Sequence, residues 1–194
     1  MKRLIITRHG ETLENASGII QGHLPGTLSA LGIEQARKLA LRLKDEKIEY
    51  IFSSDLTRAL DTANQIRKYH SNAIFVQTNE LRENYLGAWQ GKTKRELGIT
   101  EGYRPPLPFD AETRDQIYLR ARKFLEDLRN DYNGRNLLLV GHNGINKALL
   151  AVLMERASED VKNIETQHNT GVNIFELSGK SYIPLVLNCI EHLS

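Results

Sequence analysis

Disulfides are excluded first: the 194-residue chain has one cysteine, Cys189, and a lone thiol fits a reducing compartment. Long apolar runs are missing too. No stretch approaches the roughly 18 residues of a membrane span. The first apolar run meets Arg8 too soon to read as a secretory leader. A cytoplasmic setting with no membrane partner is expected. Neither charge is in excess, with 26 basic against 24 acidic residues, so no nucleic-acid partner is expected. Prolines number only five, and three of them fall between residues 93 and 111. Three reactive or ligand patterns are absent: Asp-x-Asp, His-x-x-x-His, and Cys-x5-Arg, since five residues follow Cys189. There is no internal repeat, low-complexity tract or interdomain linker.

What is present alternates. Hydrophobic residues make up 40% of the chain, enough to bury the core of one globular domain over residues 1–194. Leu4-Ile5-Ile6 reads as a buried strand ending in Arg8-His9-Gly10. Gly10 permits a sharp turn or a close approach to a ligand. Residues 15–28, rich in Gly, Pro, Gln and Ser, read as a long loop. It carries Asn15, Gln21, Gly22 and His23, all able to face a polar ligand. Ser29 to Lys47 reads as a helix with Ile33, Ala36, Ala40 and Leu43 on its apolar face. Tyr50 to Phe52 is a second strand, and Ser53-Ser54-Asp55 offers N-caps to a helix carrying Leu56, Ala59, Leu60, Ala63 and Ile66. Its last turn leads to His70, read as solvated. Ala73 to Val76 is a third strand. Residues 93–111 have no period and read as an irregular insertion or lid.

Thr113 to Gln116 resembles a capping box. The helix it opens is striped by Ile117, Ala121, Phe124, Leu125 and Leu128, and Asn133-Gly134 ends it. Leu137 to Val140 is a buried strand running into Gly141-His142-Asn143-Gly144 and a helix from Ile145. His168 reads as a loop residue. Val172 to Leu177 and Tyr182 to Leu187 are the last strands, and Pro184 puts the second at a sheet edge. The alternation predicts an α/β fold: a three-layer sandwich whose mainly parallel central sheet has one antiparallel strand and helices on both faces.

Two strand ends thus carry histidine, and a parallel sheet brings such ends together at its carboxyl edge, where ligands bind. Arg8 precedes His9. Arg58 falls in the first turn of a helix, where the dipole favours acids; a cation there makes sense beside an external anion. Two guanidinium forks suit a phosphate. One neutral imidazole can attack phosphorus while the other stabilises the transferring oxygens. A carboxylic acid or histidine must then protonate the leaving group.

The series Arg8-His9-Gly10-Glu11-Thr12-x-x-Asn15, Gln21-Gly22, Leu28-Ser29-x-x-Gly32-x-x-Gln35-Ala36, Ser53-Ser54-Asp55-Leu56-x-Arg58-Ala59, Leu81-Arg82-Glu83-x-x-x-Gly87-x-Trp89-x-Gly91 and Gly141-His142 resembles the signature of the histidine phosphatase superfamily, the phosphoglycerate-mutase-like proteins. It runs in order from residue 4 to about residue 150. The resemblance implies that His9 is the nucleophile that becomes phosphohistidine. It implies that Arg8, Arg58 and His142 complete the phosphate pocket, with Asn15 auxiliary and Gln21 and Gly22 nearby. Glu83 matches the general acid that later activates water. His23 and Asn143 are candidate substrate contacts. Neither a metal nor a cofactor is implied, and the partner is a small phosphorylated metabolite. The tail through Cys189 to His192 resembles the end of some relatives, which implies a contact near the pocket.

Departures from the family pattern bear on substrate rather than chemistry. Asn143 stands where many relatives have Gly. Leu24-Pro25-Gly26-Thr27 lacks an acidic residue frequent there, and Asp110-Ala111-Glu112-Thr113 replaces a common Gly-Gly-Glu-Ser. The expectation is a metal-independent phosphomonoesterase working through phosphohistidine. The alternative is a cofactor-dependent phosphoglycerate mutase. Only about thirty residues separate Glu83 from the helix at Thr113, shorter than the insertion that holds a bisphosphate in mutases. A non-catalytic scaffold is set aside because His9, Arg58, Glu83 and His142 are all present.

Overall fold

The computed structural model describes residues 1–179 and 181–194. Its first half places β1 (Arg3–Arg8), α1 (Leu13–Ala16), α2 (Ala30–Leu43), β2 (Tyr50–Ser54), α3 (Thr57–Arg67) and β3 (Ile74–Thr78). Its second half places α4 (Arg114–Asp131), β4 (Asn136–Gly141), α5 (Asn143–Leu153), β5 (Val172–Ser178) and β6 (Ser181–Cys189). The strands form one sheet in the order β3-β2-β4-β1-β5-β6. The pairs β1–β4, β2–β4 and β2–β3 are parallel, and β5 runs against both β1 and β6. The single reversed strand is therefore β5, and Pro184 lies on the edge strand β6.

The central strands are apolar on both faces because helices cover both. Leu4, Ile6, Phe52, Leu137 and Leu139 pack under α4 and α5. Ile5, Ile51, Leu138 and Val140 pack under α2 and α3. The capping box at Thr113 and Gln116 forms, and the five apolar residues of the α4 stripe are all buried.

Four local expectations are corrected. The 15–28 segment is not loop throughout: Asn15 and Ala16 belong to a short helix, α1, capped reciprocally by Thr12 and Asn15. Ile33 is exposed, and the buried face of α2 is Gly32, Ala36, Leu39, Ala40 and Leu43. The reason is contact at Gly32: a Cβ there would collide with the Glu11 carbonyl, and one on Gly10 with the Gly32 carbonyl. That close backbone approach sets the helix rotation and turns Ile33 outward. Gly10 therefore serves chain packing rather than a left-handed turn. His70 is half-buried, with Nε2 3.0 Å from the Leu43 carbonyl at the end of α2, which also accepts from the Glu46 amide at 2.9 Å. Residues 93–111 hold turns and the bridges Ile19–Thr93 and Thr100–Tyr103, with neither helix nor strand. Among the described residues no helix is long and apolar enough to cross a membrane.

Gly32→Ala should destabilise the fold by at least about 2 kcal/mol, toward the upper part of the usual overpacking cost, because the colliding partner is backbone. Urea denaturation of this variant beside Leu31→Ala, an exposed neighbour, checks it; equal midpoints for the two would contradict the contact.

Candidate active site

Adjacency of β1 and β4 builds the site. Arg8 is in register with Gly141, so the next residues, His9 and His142, stand side by side. Their ring centroids are 5.1 Å apart. His9 Nδ1 lies 2.6 Å from the Gly10 carbonyl. The carbonyl only accepts, so Nδ1 carries the proton and Nε2 presents a lone pair. Arg58 Nε donates to both rings, at 3.3 Å from His9 Nε2 and 3.2 Å from His142 Nδ1. His142 Nε2 therefore carries its proton and donates to Ser54 Oγ at 2.9 Å.

All three side chains are sealed: His9 is 3% exposed, Arg58 1% and His142 0%. Burial holds both imidazoles well below their ordinary range; Arg8 and Arg58 add to this at His9, and Arg58, His9 and Arg8 at His142. Both rings are neutral at pH 7. Burial also lowers Arg58, to about 10, with the Glu83 charge opposing, so it stays cationic.

The fork expected to grip phosphate is used differently at Arg58. Its Nη2 donates to the Gly22 carbonyl at 2.9 Å, and Nη1 donates to the carbonyls of Leu24 and Pro25. Only Nε faces the histidines. Arg8 Nη1 donates to the Gln167 carbonyl at 2.7 Å, and Arg8 Nε is buried without a partner. Arg8 thus keeps one donor unused by the protein.

Glu83 follows β3 and reaches the N-terminus of α5. Its Oε1 accepts from Gly144 N at 2.8 Å and Asn84 N at 2.9 Å, and its Oε2 from Gly144 N at 3.1 Å. A Cβ on residue 144 would meet Asn84 Oδ1 and Glu83 Oε1, so a side chain there would have to displace both. Burial lowers Arg8, Arg58 and Arg104, and the Glu83 charge opposes that pull at each of them. His23 Nε2 lies 2.8 Å from the Glu83 carbonyl, and its ring meets Tyr85 edge-on.

The remaining expected residues divide. Gly22 joins the pocket through its carbonyl. Gln21 is buried beside it, with Nε2 donating to Thr12 Oγ1 at 2.9 Å and Oε1 unpartnered. Asn143 Oδ1 accepts from Gln167 N at 2.9 Å, bracing the segment that holds Arg8. The side chain of Asn15 accepts from Thr12 N within the α1 cap. His168 is exposed on its loop. His192 Nε2 lies 3.2 Å from Thr170 Oγ1, and Thr170 N donates to the Arg8 carbonyl, so the tail reaches the pocket through one residue.

Sequence reasoning missed several supports. Ser54 and Asp55 do not cap α3, whose N-cap is Leu56 with no side-chain bond. Ser54 holds His142 instead, and Asp55 pairs with Arg82. Gln167 grips Arg8, Asn169 Nδ2 donates to the His9 carbonyl at 3.0 Å, and Thr62 Oγ1 accepts from Gly10 N at 3.0 Å. A signal existed for residues 167–170. They precede an antiparallel neighbour of β1, and such a strand starts at the sheet edge where β1 ends. Among the described residues no three His, Cys, Asp or Glu side chains are grouped to hold a metal ion.

Residues 4–190 match the model of the histidine phosphatase superfamily (branch 1). The chain is 33% identical to phosphoglycerate mutase-like protein 4 of Arabidopsis thaliana, across 98% of this chain and 86% of that protein. It is 31% identical to the metal-independent phosphoserine phosphatase of the same plant, across 98% and 83%. Among solved structures, mycobacterial glucosyl-3-phosphoglycerate phosphatase in complex with VO3 superposes with a TM-score of 0.88 at 28% identity, covering 98% of this chain and all of that one (100%).

The neutral histidine pair has a consequence for stability. Unfolded, each imidazole regains a pKa near 6.5, so below that pH the unfolded chain binds more protons than the folded one. The contribution is present above pH 6.5 and is lost as the pH falls from there toward the lowered folded values. The slope is up to about 1.4 kcal/mol per pH unit for each histidine. Urea denaturation between pH 6.5 and 5.5 should show a shallower loss in His142→Gln than in the parent chain; parallel losses would refute it.

Proposed function

The chain belongs to the histidine phosphatase superfamily, and from that premise we propose that it is a phosphomonoesterase hydrolysing small phosphorylated metabolites, without a metal, through a phosphohistidine at His9. The observation that carries the reading is the buried, neutral His9, with its Nε2 lone pair fixed by the Nδ1 bond to Gly10 and faced by Arg58 and His142. A lone pair held in one direction is the requirement for in-line attack.

In the first step His9 Nε2 bonds to phosphorus and the ester P–O bond breaks. Glu83 takes a proton from the arriving phosphate monoanion and passes it to the departing oxygen, returning to a carboxylate. In the second step water attacks the phosphohistidine, Glu83 accepts its proton, and phosphate leaves as the P–N bond breaks. Arg8, Arg58 Nε and His142 stabilise the charge on the transferring oxygens. Gln21 and Gly22 support the loop that holds Arg58, and Asn15 acts as an auxiliary through the α1 cap it shares with Thr12. His23 steadies the Glu83 backbone, and Asn143 stands at the substrate side. The 93–111 segment acts as a lid within a single domain, and the lone Cys189 accords with a cytoplasmic enzyme. The mutase alternative is weaker: the short Glu83–Thr113 span argues against it, and relatives of similar length are named phosphatases.

Rapid quenching with labelled substrate should trap a phosphoprotein that is acid-labile and base-stable, and excess chelator should leave its turnover unchanged. His9→Ala should lose label and turnover together; stable label on that variant would move the nucleophile elsewhere.

Glu83→Gln should slow alkyl phosphate hydrolysis by roughly a hundredfold or more, within the range of general acid catalysis. Phosphoenzyme formation from p-nitrophenyl phosphate should suffer far less, because p-nitrophenolate leaves without a proton. Single-turnover measurements on both substrates separate the steps. Equal slowing of that step for both leaving groups would sink the assignment of Glu83.

A further inference from the structure

Glu83 marks a boundary. On one side lie His9, Arg8 and Arg58; on the other opens a cavity of about 390 Å³, lined by Arg104, Arg114, Asn143, Lys147 and Lys162 among others. Glu83 is the only carboxylate in the lining, and its oxygens are engaged by backbone amides. Among the described residues, none of the four cations lies within 4.0 Å of a carboxylate, whereas nine other pairs of the chain do. Arg104 sits over the Trp89 ring at 5.0 Å, fixed by an aromatic face rather than by an acid. Lys147 is half-buried, and its one polar contact is a long 3.5 Å bond to the Lys162 carbonyl. Burial and the nearby Arg114 push it below the ordinary lysine range. Like charges gathered in a concave wall repel until an anion enters between them.

A proton donor must face the leaving oxygen, so the alcohol portion of a substrate lies on the Glu83 side of the phosphate and extends into this cavity. We infer that the substrate is a phosphomonoester whose alcohol portion carries a second anionic group, a carboxylate or another phosphate, held by Arg114, Lys147 and Lys162 with Arg104 at the rim. This rests on the phosphomonoesterase reading above. It adds a site for the leaving group and a rule for which metabolites are accepted. An apolar or uncharged alcohol would leave four cations unneutralised.

The test is kcat/KM for matched pairs: 2-phosphoglycolate against ethyl phosphate, and propane-1,3-diol bisphosphate against propyl phosphate. At least one anionic member should exceed its neutral match by about tenfold or more, the value of one charge-assisted contact. The pair that shows the preference tells carboxylate from phosphate. Arg114→Gln and Lys147→Met should each cut that ratio severalfold, mainly through KM; Arg114 is exposed, so its variant keeps the test open if Lys147→Met fails to fold. Equal values within both pairs, or a ratio that survives in both variants, overturns this inference alone. No turnover of any of these esters or of p-nitrophenyl phosphate overturns the phosphatase reading and this inference with it.

Discussion

A buried cation without a carboxylate partner governs the arrangement. Arg58 is sealed in the interior, and its five hydrogen bonds run to three main-chain carbonyls and two imidazoles. An unsatisfied buried charge is among the costliest defects a fold can carry. The chain must therefore deliver those acceptors to one point. The irregular stretch between α1 and α2 exists in that shape because the carbonyls of Gly22, Leu24 and Pro25 have to turn inward. The strand order must seat β4 beside β1 because both rings have to meet Nε. The same buried charge adds to burial and to Arg8 in holding both histidines unprotonated.

Glu83 is placed by different means. Its carboxylate takes the position of an N-cap on α5 while belonging to a loop far away in sequence, and Gly144 leaves the room for it. The helix begins at the strand end that carries His142. One turn of backbone thus fixes the Glu83 carboxylate and the His142 imidazole relative to each other. Around Glu83 the neighbours differ by side: buried nitrogen donors toward His9, partly hydrated cations toward the cavity. The surroundings of Glu83 thus differ in kind from one side to the other.

The sequence was legible wherever its signal is local. Apolar runs gave the central strands, the Thr113–Gln116 cap gave the start of α4, and Pro184 gave the edge. The two histidine-bearing strand ends met because parallel pairing needs no long-range information beyond strand order. What stayed hidden depends on a partner remote in sequence. Ile33 fits the helical period, yet Gly32 is what meets another backbone. Ser54 looks like a cap and is a support for His142. The Arg58 fork looks made for phosphate, but carbonyls 33 to 36 residues upstream occupy it. Gln167 carries no motif, and its use appears only once β5 is laid against β1.

The edge strand has a bearing on solution behaviour. β6 is nine residues long, and Ile183, Leu185 and Leu187 project half exposed along it. Such an edge is a template for another strand, and repetition of that event is the route to fibrillar assemblies. Pro184 interrupts the row of amide donors in the middle of the apolar stretch, and the ladder to β5 slips register twice between Val172 and Phe175. An incoming strand meets a gap and a twist where a continuous zipper would need neither. One imino acid at the rim is thus a gatekeeper of the kind that disfavours a continuous ladder between copies.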